Sequence, residues 1–309
     1  MTIDFPEHPF TLAMARELGI PRKRIAAAVT QRILQRPFHG VYVRADVELS
    51  MVARAAAAAL VVSPHAVICD RTAAWIWGVD CFHFRELDVV PPVEAFTLRG
   101  HRAPQRREVR GGERDLSSQD RTTVGGVRVT TPLRTALDLG CRLNRRDALA
   151  AIDALMRAHG LVSSDLAQCL LRFAGRRGVV QLRELVGLAD PRAESSGESW
   201  TRLEILDHGL PRPEVQWWVK VGGKPTYRLD LAYPHAKIAI EYNGEEFHSS
   251  DEDLAADAER RDWLERHGWT VIVVDKDSFT DEAIEAWIGR IRELLAVAQT
   301  SPRRWYARG

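Results

Sequence analysis

The chain has 309 residues, more than one average hydrophobic core supports, so two or three domains are expected. Its 45% hydrophobic and 28% charged content is typical of a soluble globular protein, and a net charge of +1 excludes binding to a polyanion through bulk charge. The charge is unevenly placed, because 18–45 holds six Lys or Arg and no acid, whereas 245–259 holds seven acids and no Lys or Arg. Contact with nucleic acid would therefore depend on local patches.

Cysteine usage and the N-terminus predict a cytoplasmic protein. Cys69, Cys81, Cys141 and Cys169 form no CxxC pair and are too few for a disulfide framework in a chain of this length. The start MTIDFPEHPF lacks a basic segment followed by an apolar one, so no secretory signal is visible. The longest charge-free run, 55–69, is shorter than the roughly 20 residues that a spanning helix needs, which predicts no membrane segment.

Residues 1–45 are predicted to form a winged helix-turn-helix DNA-binding domain. A short helix ends at Gly19, and Pro21 starts a second helix that is predicted to run through PRKRIAAAVTQRIL. Gly40 then marks the turn of a hairpin whose second strand contains the alternating run 41–43. This order places the second helix in a major groove and the hairpin on the DNA backbone.

The predicted second helix separates a core face from a polar face. Its core positions are expected to be Ile25, Ala28, Val29 and Ile33. The predicted nucleic-acid-binding residues are the basic or amide side chains of this helix and of the turn after it: Arg22, Lys23, Arg24, Gln31, Arg32 and Arg36. The alternative is a small helical packing module whose Lys and Arg side chains are only solvated.

A family resemblance supports the DNA-binding interpretation. The stretch LGIPRKRIAAAVTQRILQRPFHGVYV resembles the N-terminal winged helix of AbiEi-type antitoxins, with its recurring skeleton LGI…I…V…L.R…GVY. The stretch AVICDRTAAWIWGVD at 66–80 resembles the segment that follows in that family, so the resemblance covers about residues 8–140. It implies a regulator that binds double-stranded DNA, and it raises a cognate toxin as a second partner.

Residues 46–190 are predicted to be a mixed α+β region that becomes helical. The expected elements are an alanine-rich helix at 51–62, strands at 86–90 and 127–131, and helices from 132 to 190. The helical stripe Leu166, Leu170, Leu171 and Phe173 is expected in the core. The segment LRGHRAPQRREVRGGERD carries six arginines from Arg99 to Arg114 and is either solvated surface or a second phosphate contact.

Residues 191–309 are predicted to form an α/β domain with a mixed sheet flanked by helices. Its first helix would contain Glu198 and be capped by Ser196 or Ser199. The expected elements in chain order are helix 198–208, strands 214–221, 227–233 and 237–243, helix 253–267, strand 270–275 and helix 281–298.

Two of these predicted strands carry a carboxylate among apolar neighbours. In TYRLDLAY, alternation places Tyr227, Leu229, Leu231 and Tyr233 on one side and Asp230 on the other. If this strand pairs with KIAIEYNG as a hairpin, Asp230 and Glu241 point to one face. Two adjacent carboxylates repel each other, and Mg²⁺ or Mn²⁺ is a natural counter-ion. The alternative is that Asp230 and Glu241 only form salt bridges, with Arg228 or Lys237 as the partner.

Such a pair of acids suits metal-dependent hydrolysis of a phosphodiester. Asp230 and Glu241 would hold the ion, and Glu198 would complete the coordination or orient the water. His248 would protonate the leaving group or position water. The alternative for His248 is an ordinary surface or core histidine.

The ordered pattern GES…L…G…Q…YRLDLAYP…KIAIEYNG..FH…D..R…L…GW.V..V resembles the DUF559 domain, which is related to very-short-patch-repair endonucleases of the PD-(D/E)XK superfamily. The resemblance covers about 194–280 and implies a restriction-endonuclease-like fold. It implies metal carboxylates at Asp230 and Glu241, a helix glutamate at Glu198, the histidine at His248, and a helix pair at Asp257 and Arg260. The third motif position, usually Asp or Lys, is Asn243, which cannot act as a base or supply a positive charge.

Two hypotheses follow for the whole chain. The first is a DNA-binding protein with a Mg²⁺- or Mn²⁺-dependent endonuclease domain, whose catalytic residues are Glu198, Asp230, Glu241, Asn243 and His248. The alternative is an AbiEi-like transcriptional regulator whose nuclease-shaped domain only binds. The remaining option is a protein-interaction scaffold that has neither activity. None of these hypotheses predicts the oligomeric state.

Overall fold

The computed structural model describes residues 5–63, 65–81, 91–100, 109–244 and 251–300, with only the backbone of 251–257. The chain forms two compact units. The first unit comprises Met1–Leu143 with Ala158–Gly187, and the second comprises Asn144–Arg157 with Leu188–Gly309. The three domains predicted at 1–45, 46–190 and 191–309 stay a prediction. Among the described residues, no helix is both long and apolar enough to cross a membrane.

The first unit begins with two short helices and a hairpin. Its elements are β1 Phe10–Thr11, α1 Leu12–Glu17, α2 Arg22–Thr30, β2 Leu34–Phe38 and β3 Val41–Arg44. The three strands form an antiparallel sheet in the order β1-β3-β2. The two helices and the β2–β3 hairpin follow in the order that the sequence predicts for 1–45, whereas β1 was not predicted.

The second helix is shorter than predicted. It stops because Arg32 adopts a left-handed conformation, with φ at 58°. The N–H of Ile33 then bonds to the carbonyl of Ala28, and the N–H of Arg32 to that of Val29, as in a Schellman cap that usually contains glycine. Ile33 is consequently 48% exposed, so its predicted core position is wrong.

The rest of the first unit is a five-stranded mixed sheet with helices. The sheet order is β6-β5-β4-β8-β7, and the main core joins Phe38 of the N-terminal hairpin to the sheet through residues such as Ile68 and Val129. The elements that follow in the chain are α3 Met51–Ala59, β4 Ala66–Ile68, α4 Asp70–Ile76, β5 Val93–Thr97, β6 Val109–Arg110, β7 Arg121–Val124, β8 Val127–Thr130, α5 Pro132–Arg142, α6 Arg145–His159, α7 Ser163–Cys169 and α8 Val179–Leu188. All of them belong to the first unit except residues 145–157 of α6 and the last residue of α8.

Two expectations for the middle region are corrected. Leu171 is 86% exposed, because the chain tightens into a 3-10 turn at 170–173 and the helical stripe ends there. Arg114, at the end of the arginine-rich segment, is a buried ion-pair partner, so it is not a phosphate contact. Its guanidinium donates to both oxygens of Asp70, at 2.7 and 2.8 Å, and to Asp138 at 3.0 Å. Residues 101–108 of this segment and the strand predicted at 86–90 lie outside the described residues.

The second unit has the predicted order of elements. Its four-stranded sheet has the order β12-β11-β10-β9, in which β11 and β12 are parallel and the other neighbours antiparallel. The elements are α9 Ser196–Asp207, β9 Glu214–Val221, β10 Lys224–Tyr233, β11 Ile238–Tyr242, α10 Asp251–Arg266, β12 Thr270–Val274 and α11 Asp281–Thr300. Residues 145–157 of α6 also belong to this unit.

Helix α9 is fixed to α6 by a buried polar group. Asp153 of α6 accepts hydrogen bonds from Ser199, at 2.7 Å, and from the guanidinium of Arg202, at 2.5 Å. Asp153 and Arg202 are both fully buried, so breaking the pair would leave an uncompensated charge. This anchor fixes the helix that carries Glu198.

Candidate functional site

The inward-facing side chains of β9 and β10 switch from one side of the sheet to the other in the middle of the two strands, at Gln216 and Asp230. We call this point the change of face. Val215 and Leu231 pack in the core with α11, whereas Val219 and Leu229 pack against Leu264 of α10. The predicted single face containing both Leu229 and Leu231 is therefore wrong. The cause is Gln216, which has a φ of 54°, a conformation that non-glycine residues adopt mainly at turns and strained sites.

Asp230 lies where β10 and β11 cease to pair. The last backbone partners are Leu231 and Ile240, so Asp230 stands next to Glu241 in register. The N–H of Tyr242 donates to Oδ2 of Asp230 at 3.0 Å. A carboxylate thus replaces the strand partner of this N–H.

Glu198 reaches the same place from the first turn of α9. The N-cap is Ser195, whose hydroxyl accepts from the N–H of Glu198 at 3.1 Å, so the predicted caps Ser196 and Ser199 are wrong. Gly197 allows the helix to lie directly on the ring of Tyr242, since a Cβ there would overlap that ring. The contact brings the buried Glu198 beside β11.

One oxygen of Glu198 has two donors. Its Oε2 accepts from the amide of Gln216 at 2.8 Å and from the N–H of Glu194 at 2.9 Å. The other side-chain atom of Gln216, Oε1, is buried and has no hydrogen-bond partner among the described residues. Gln216 thus lies where the strands switch sides, and its side chain also donates a hydrogen bond to Glu198 of the acidic site.

Glu241 forms an ion pair with α10. Nη2 of Arg260 lies 2.6 and 2.7 Å from the two oxygens of Glu241, and it also donates to the carbonyl of Arg228 at 2.9 Å. The two partners proposed for a purely structural pair lie elsewhere: Arg228 binds Glu194, and Lys237 donates to the carbonyl of His267. A salt bridge to Glu241 therefore exists, with Arg260 as the partner.

The three acids affect one another electrostatically. Burial, followed by the negative charges of Glu198 and Glu241, raises the pKa of Asp230 to about 7. The hydrogen bond from Tyr242 and the charge of Arg260 act in the opposite direction without cancelling the effect. Asp230 is thus half protonated near neutral pH, which is typical of functional carboxylates that have neighbouring acids.

These residues offer oxygen ligands that suit a divalent ion, but one of them, Glu241, is paired with an arginine. Asp230 and Glu198 each keep an oxygen without a described partner, and Gln216 adds a neutral oxygen, all of which are ligand types of Mg²⁺. Arg260, however, takes both oxygens of Glu241. In the described part of the chain, no group of three or more His, Cys, Asp or Glu side chains is placed to hold a metal ion. The predicted Mg²⁺ or Mn²⁺ ion therefore stays a prediction, and its binding would require Glu241 to exchange Arg260 for the ion.

Of the remaining residues predicted for this cluster, only Asn243 has a described side chain. Asn243 is exposed, and its N–H donates to the carbonyl of Val274 at 2.8 Å. His248 and the side chain of Asp257 lie outside the described residues. Gln216, which contacts Glu198, was not among the predicted site residues, although the Q of the quoted pattern marks its position.

The predicted nucleic-acid residues lie on the first unit. Arg22, Lys23 and Arg24 are exposed in the first turn of α2. Gln31 and Arg32 are also exposed, but they follow the helix. The guanidinium of Arg36 in β2 lies over the ring of Tyr42, 5.6 Å from its centroid, and is only partly exposed.

Comparison with known proteins gives one family match. Residues 66–188 match the family model of the AbiEi antitoxin C-terminal domain. Two relatives from Mycobacterium tuberculosis, the uncharacterized protein Rv2248 of strain H37Rv and the uncharacterized protein MT2308 of strain CDC 1551, are each 33% identical to the chain over 262 residues. Each alignment covers 84% of this chain and 92% of the relative. An AbiEi antitoxin-like domain is therefore present, which confirms the AbiEi resemblance from residue 66 onward. The resemblance of the N-terminal segment to the winged helix of that family stays a prediction.

Proposed function

This chain belongs to the same family as the mycobacterial proteins Rv2248 and MT2308 and carries an AbiEi antitoxin-like domain, from which we propose that it is a DNA-binding transcriptional regulator of the antitoxin type. The observation that carries the proposal is the match at 66–188, which is preceded in the chain by a helix–helix–hairpin segment at 12–44. On the basis of the same match, we propose a cognate toxin as the second partner.

The surface of α2 supports DNA binding. A helix N-terminus carries a partial positive charge and attracts phosphate. Arg22, Lys23 and Arg24 add three cations to this end, and the first turn contains no acid. Cations at this end cost helix stability, so the arrangement favours an anionic ligand. We propose that this turn contacts phosphates or base edges, with Gln31, Arg32 and Arg36 on the following turn and strand, as in a winged helix.

DNA binding tests this proposal. The full chain is titrated against duplex DNA from the region upstream of its own gene, at several salt concentrations. Simultaneous replacement of Arg22, Lys23 and Arg24 by Ala should weaken binding and reduce the slope of log K against log salt by up to about three. The control is the double variant Arg177→Ala/Arg183→Ala, which removes exposed cations elsewhere in the first unit. Equal affinity and slope for the triple variant and the wild type would refute the role of α2.

A second candidate function is phosphodiester hydrolysis with Mg²⁺ or Mn²⁺ in the second unit. The observation that favours it is the raised pKa of Asp230 beside Glu198 and Glu241. We propose Asp230, Glu241 and Glu198 as its metal carboxylates and Asn243 and His248 as its other catalytic residues, in a restriction-endonuclease-like domain.

Incubation of supercoiled, linear and single-stranded DNA with either ion tests this candidate. Cleavage that disappears in both Asp230→Ala and Glu241→Ala would support it. Unchanged substrates for the wild type would eliminate the enzymatic function while leaving the regulator proposal in place.

A further inference from the structure

The outer part of the β9–β10 hairpin exposes two adjacent tryptophans. Trp217 is 38% exposed and Trp218 is 47% exposed. Both lie beyond the change of face at Gln216, and β9 is the last strand of the described sheet. A large apolar side chain at such a position is typical of a binding surface when charged groups surround it.

The neighbours of Trp218 are cations. Trp218 pairs in register with Arg228, whose guanidinium carbon is 5.9 Å from the centroid of the indole. Lys220 is two residues further along β9, on the same side of the strand. Lys224 pairs with Val221 and therefore lies on the other side of the hairpin. We call the surface made by Trp218, Lys220 and Arg228 the Trp218 face. All three of these residues are exposed.

The charge around the Trp218 face is positive and is not neutralised by strong ion pairs. Residues 212–228 contain four Lys or Arg and one acid, Glu214. Among the described residues, Lys220 and Lys224 have no ion-pair partner. Arg228 pairs with Glu194 at 2.7 Å, but both side chains are nearly half exposed, and such pairs contribute little. A phosphate could replace Glu194 at small cost.

The composition of the Trp218 face favours nucleic acid over protein. Lysine is depleted in protein–protein interfaces, whereas surfaces that bind single strands combine cations with aromatic side chains on which bases stack. A stacked duplex offers no base face to Trp218, so the ligand must contain an unpaired base.

We infer that the Trp218 face is a second DNA-contact surface, which stacks an unpaired base on Trp218 and holds the adjacent phosphates with Lys220 and Arg228. The inference rests on the proposed function only in taking DNA as the ligand. It assigns to the second unit a contact that is separate from α2 and from the acidic site, and it requires neither a metal ion nor cleavage.

The test uses the full chain with two probes, a fluorescent oligothymidine and a duplex of equal length. Trp218→Ala should weaken oligothymidine binding about 5- to 100-fold, the range for loss of one stacked base. Trp218→Phe should retain most of the affinity, because a phenyl ring still stacks. Lys220→Ala/Arg228→Ala should weaken oligothymidine binding and lower its salt dependence. Arg292→Ala, which removes an exposed cation of α11, should leave it unchanged.

The outcomes separate this inference from the proposed function. Replacing Arg22, Lys23 and Arg24 should affect duplex binding, whereas Trp218→Ala should leave duplex affinity within about twofold. Unchanged oligothymidine binding by Trp218→Ala would overturn the inference even if the duplex result supports α2. Equal losses in Trp218→Ala and Trp218→Phe would also overturn it, because they would indicate lost packing. The inference would also be overturned if Trp218→Ala changed the sedimentation of the chain and left DNA binding unaltered, because the Trp218 face would then be an interface between copies.

Discussion

Buried carboxylates occur in both units, but their counter-charges differ. In the first unit, Asp120 and Asp138 face the guanidinium of Arg134, at 3.0 and 2.8 Å, and Arg114 and Arg172 supply further positive charge. In the second unit, Asp230 has two acidic neighbours and one arginine, Arg260, which lies on Glu241.

The pKa values reflect burial as well as these charges. Burial raises the pKa of Asp138, although the charges of Arg114 and Arg134 act in the opposite direction. Burial acts to raise the pKa of Asp120, yet hydrogen bonds from Ser117 and Arg172 and the charge of Arg134 bring it below its usual value. The pKa of Asp230 is raised to about 7. A buried carboxylate that is paired with arginines has a structural role. A carboxylate that has more acidic than basic neighbours lacks a full counter-charge and is a candidate for binding a further cation. The candidate site is therefore the acidic cluster of the second unit, which consists of Glu198, Asp230 and Glu241. It is not the ionic network of the first unit, which consists of Asp120, Asp138, Arg114, Arg134 and Arg172.

The largest expected effect concerns the ionic network. Arg134→Met removes a guanidinium that is 2% exposed and leaves Asp120 and Asp138 short of positive charge. We expect a loss of about 3–5 kcal/mol in the free energy of unfolding, measured by urea denaturation. The control is Arg99→Met, whose partner Asp115 is exposed and which should change stability by less than about 1 kcal/mol. Equal effects of the two variants would contradict a structural role for the network.

The next effect concerns Asp230 and depends on pH. Since its folded pKa is about 7 against a usual 3.8, the folded state binds the proton more tightly, and stability falls as pH rises from about 4 to above 7. Asp230→Asn keeps an acceptor for the N–H of Tyr242 and removes the charge. It should be more stable than the wild type by about 2–3 kcal/mol at pH 8 and by much less at pH 4. Parallel stability curves from pH 4 to 8 would show that the acids do not repel one another.

A smaller effect concerns the contact that positions Glu198. Gly197→Ala forces the ring of Tyr242 to move and should cost about 1–3 kcal/mol in the free energy of unfolding. Gly289→Ala in α11, where a Cβ meets nothing within 4 Å, should stabilise by about 0.5–1 kcal/mol. If both substitutions stabilised the protein, α9 would not rest on Tyr242 as described.

The smallest effect concerns the cation that the acidic cluster already has. Arg260→Met leaves Glu241 and the carbonyl of Arg228 without their donor and should cost about 1–2 kcal/mol. Millimolar Mg²⁺ or Mn²⁺ should restore part of this loss, because the vacated carboxylates attract a divalent ion. The control is Arg261→Met, which removes an exposed neighbour and should show neither effect. Thermal unfolding with and without the ions measures both.

The sequence predicted the order of elements in the second unit because alternation and turn residues are local signals. The strand at 214–221 was predicted with its observed limits, and the other elements within a few residues. The change of face was not predictable, because it depends on the left-handed Gln216, and glycine is the residue that usually signals such a conformation. Ile33 was misplaced for the same reason, since Arg32 ends α2 in a left-handed conformation.

The candidate site was only partly predictable. Adjacent placement of Asp230 and Glu241 follows from hairpin register, and the structure brings Glu198 to them. The ion pair of Glu241 with Arg260 depends on the packing of α10, 19 residues further along the chain, which no local pattern encodes. The buried pairing of Arg114 with Asp70 likewise depends on residues 44 positions apart.

The measurement that tests the central claim most directly is binding of the full chain to duplex DNA from its own upstream region, in EDTA and in Mg²⁺, with the DNA examined for cleavage afterwards. A metal-independent regulator predicts affinities within about twofold in the two buffers, steep weakening with salt, and intact DNA. Binding that requires the ion, or strand breaks that disappear in Asp230→Ala, would contradict it.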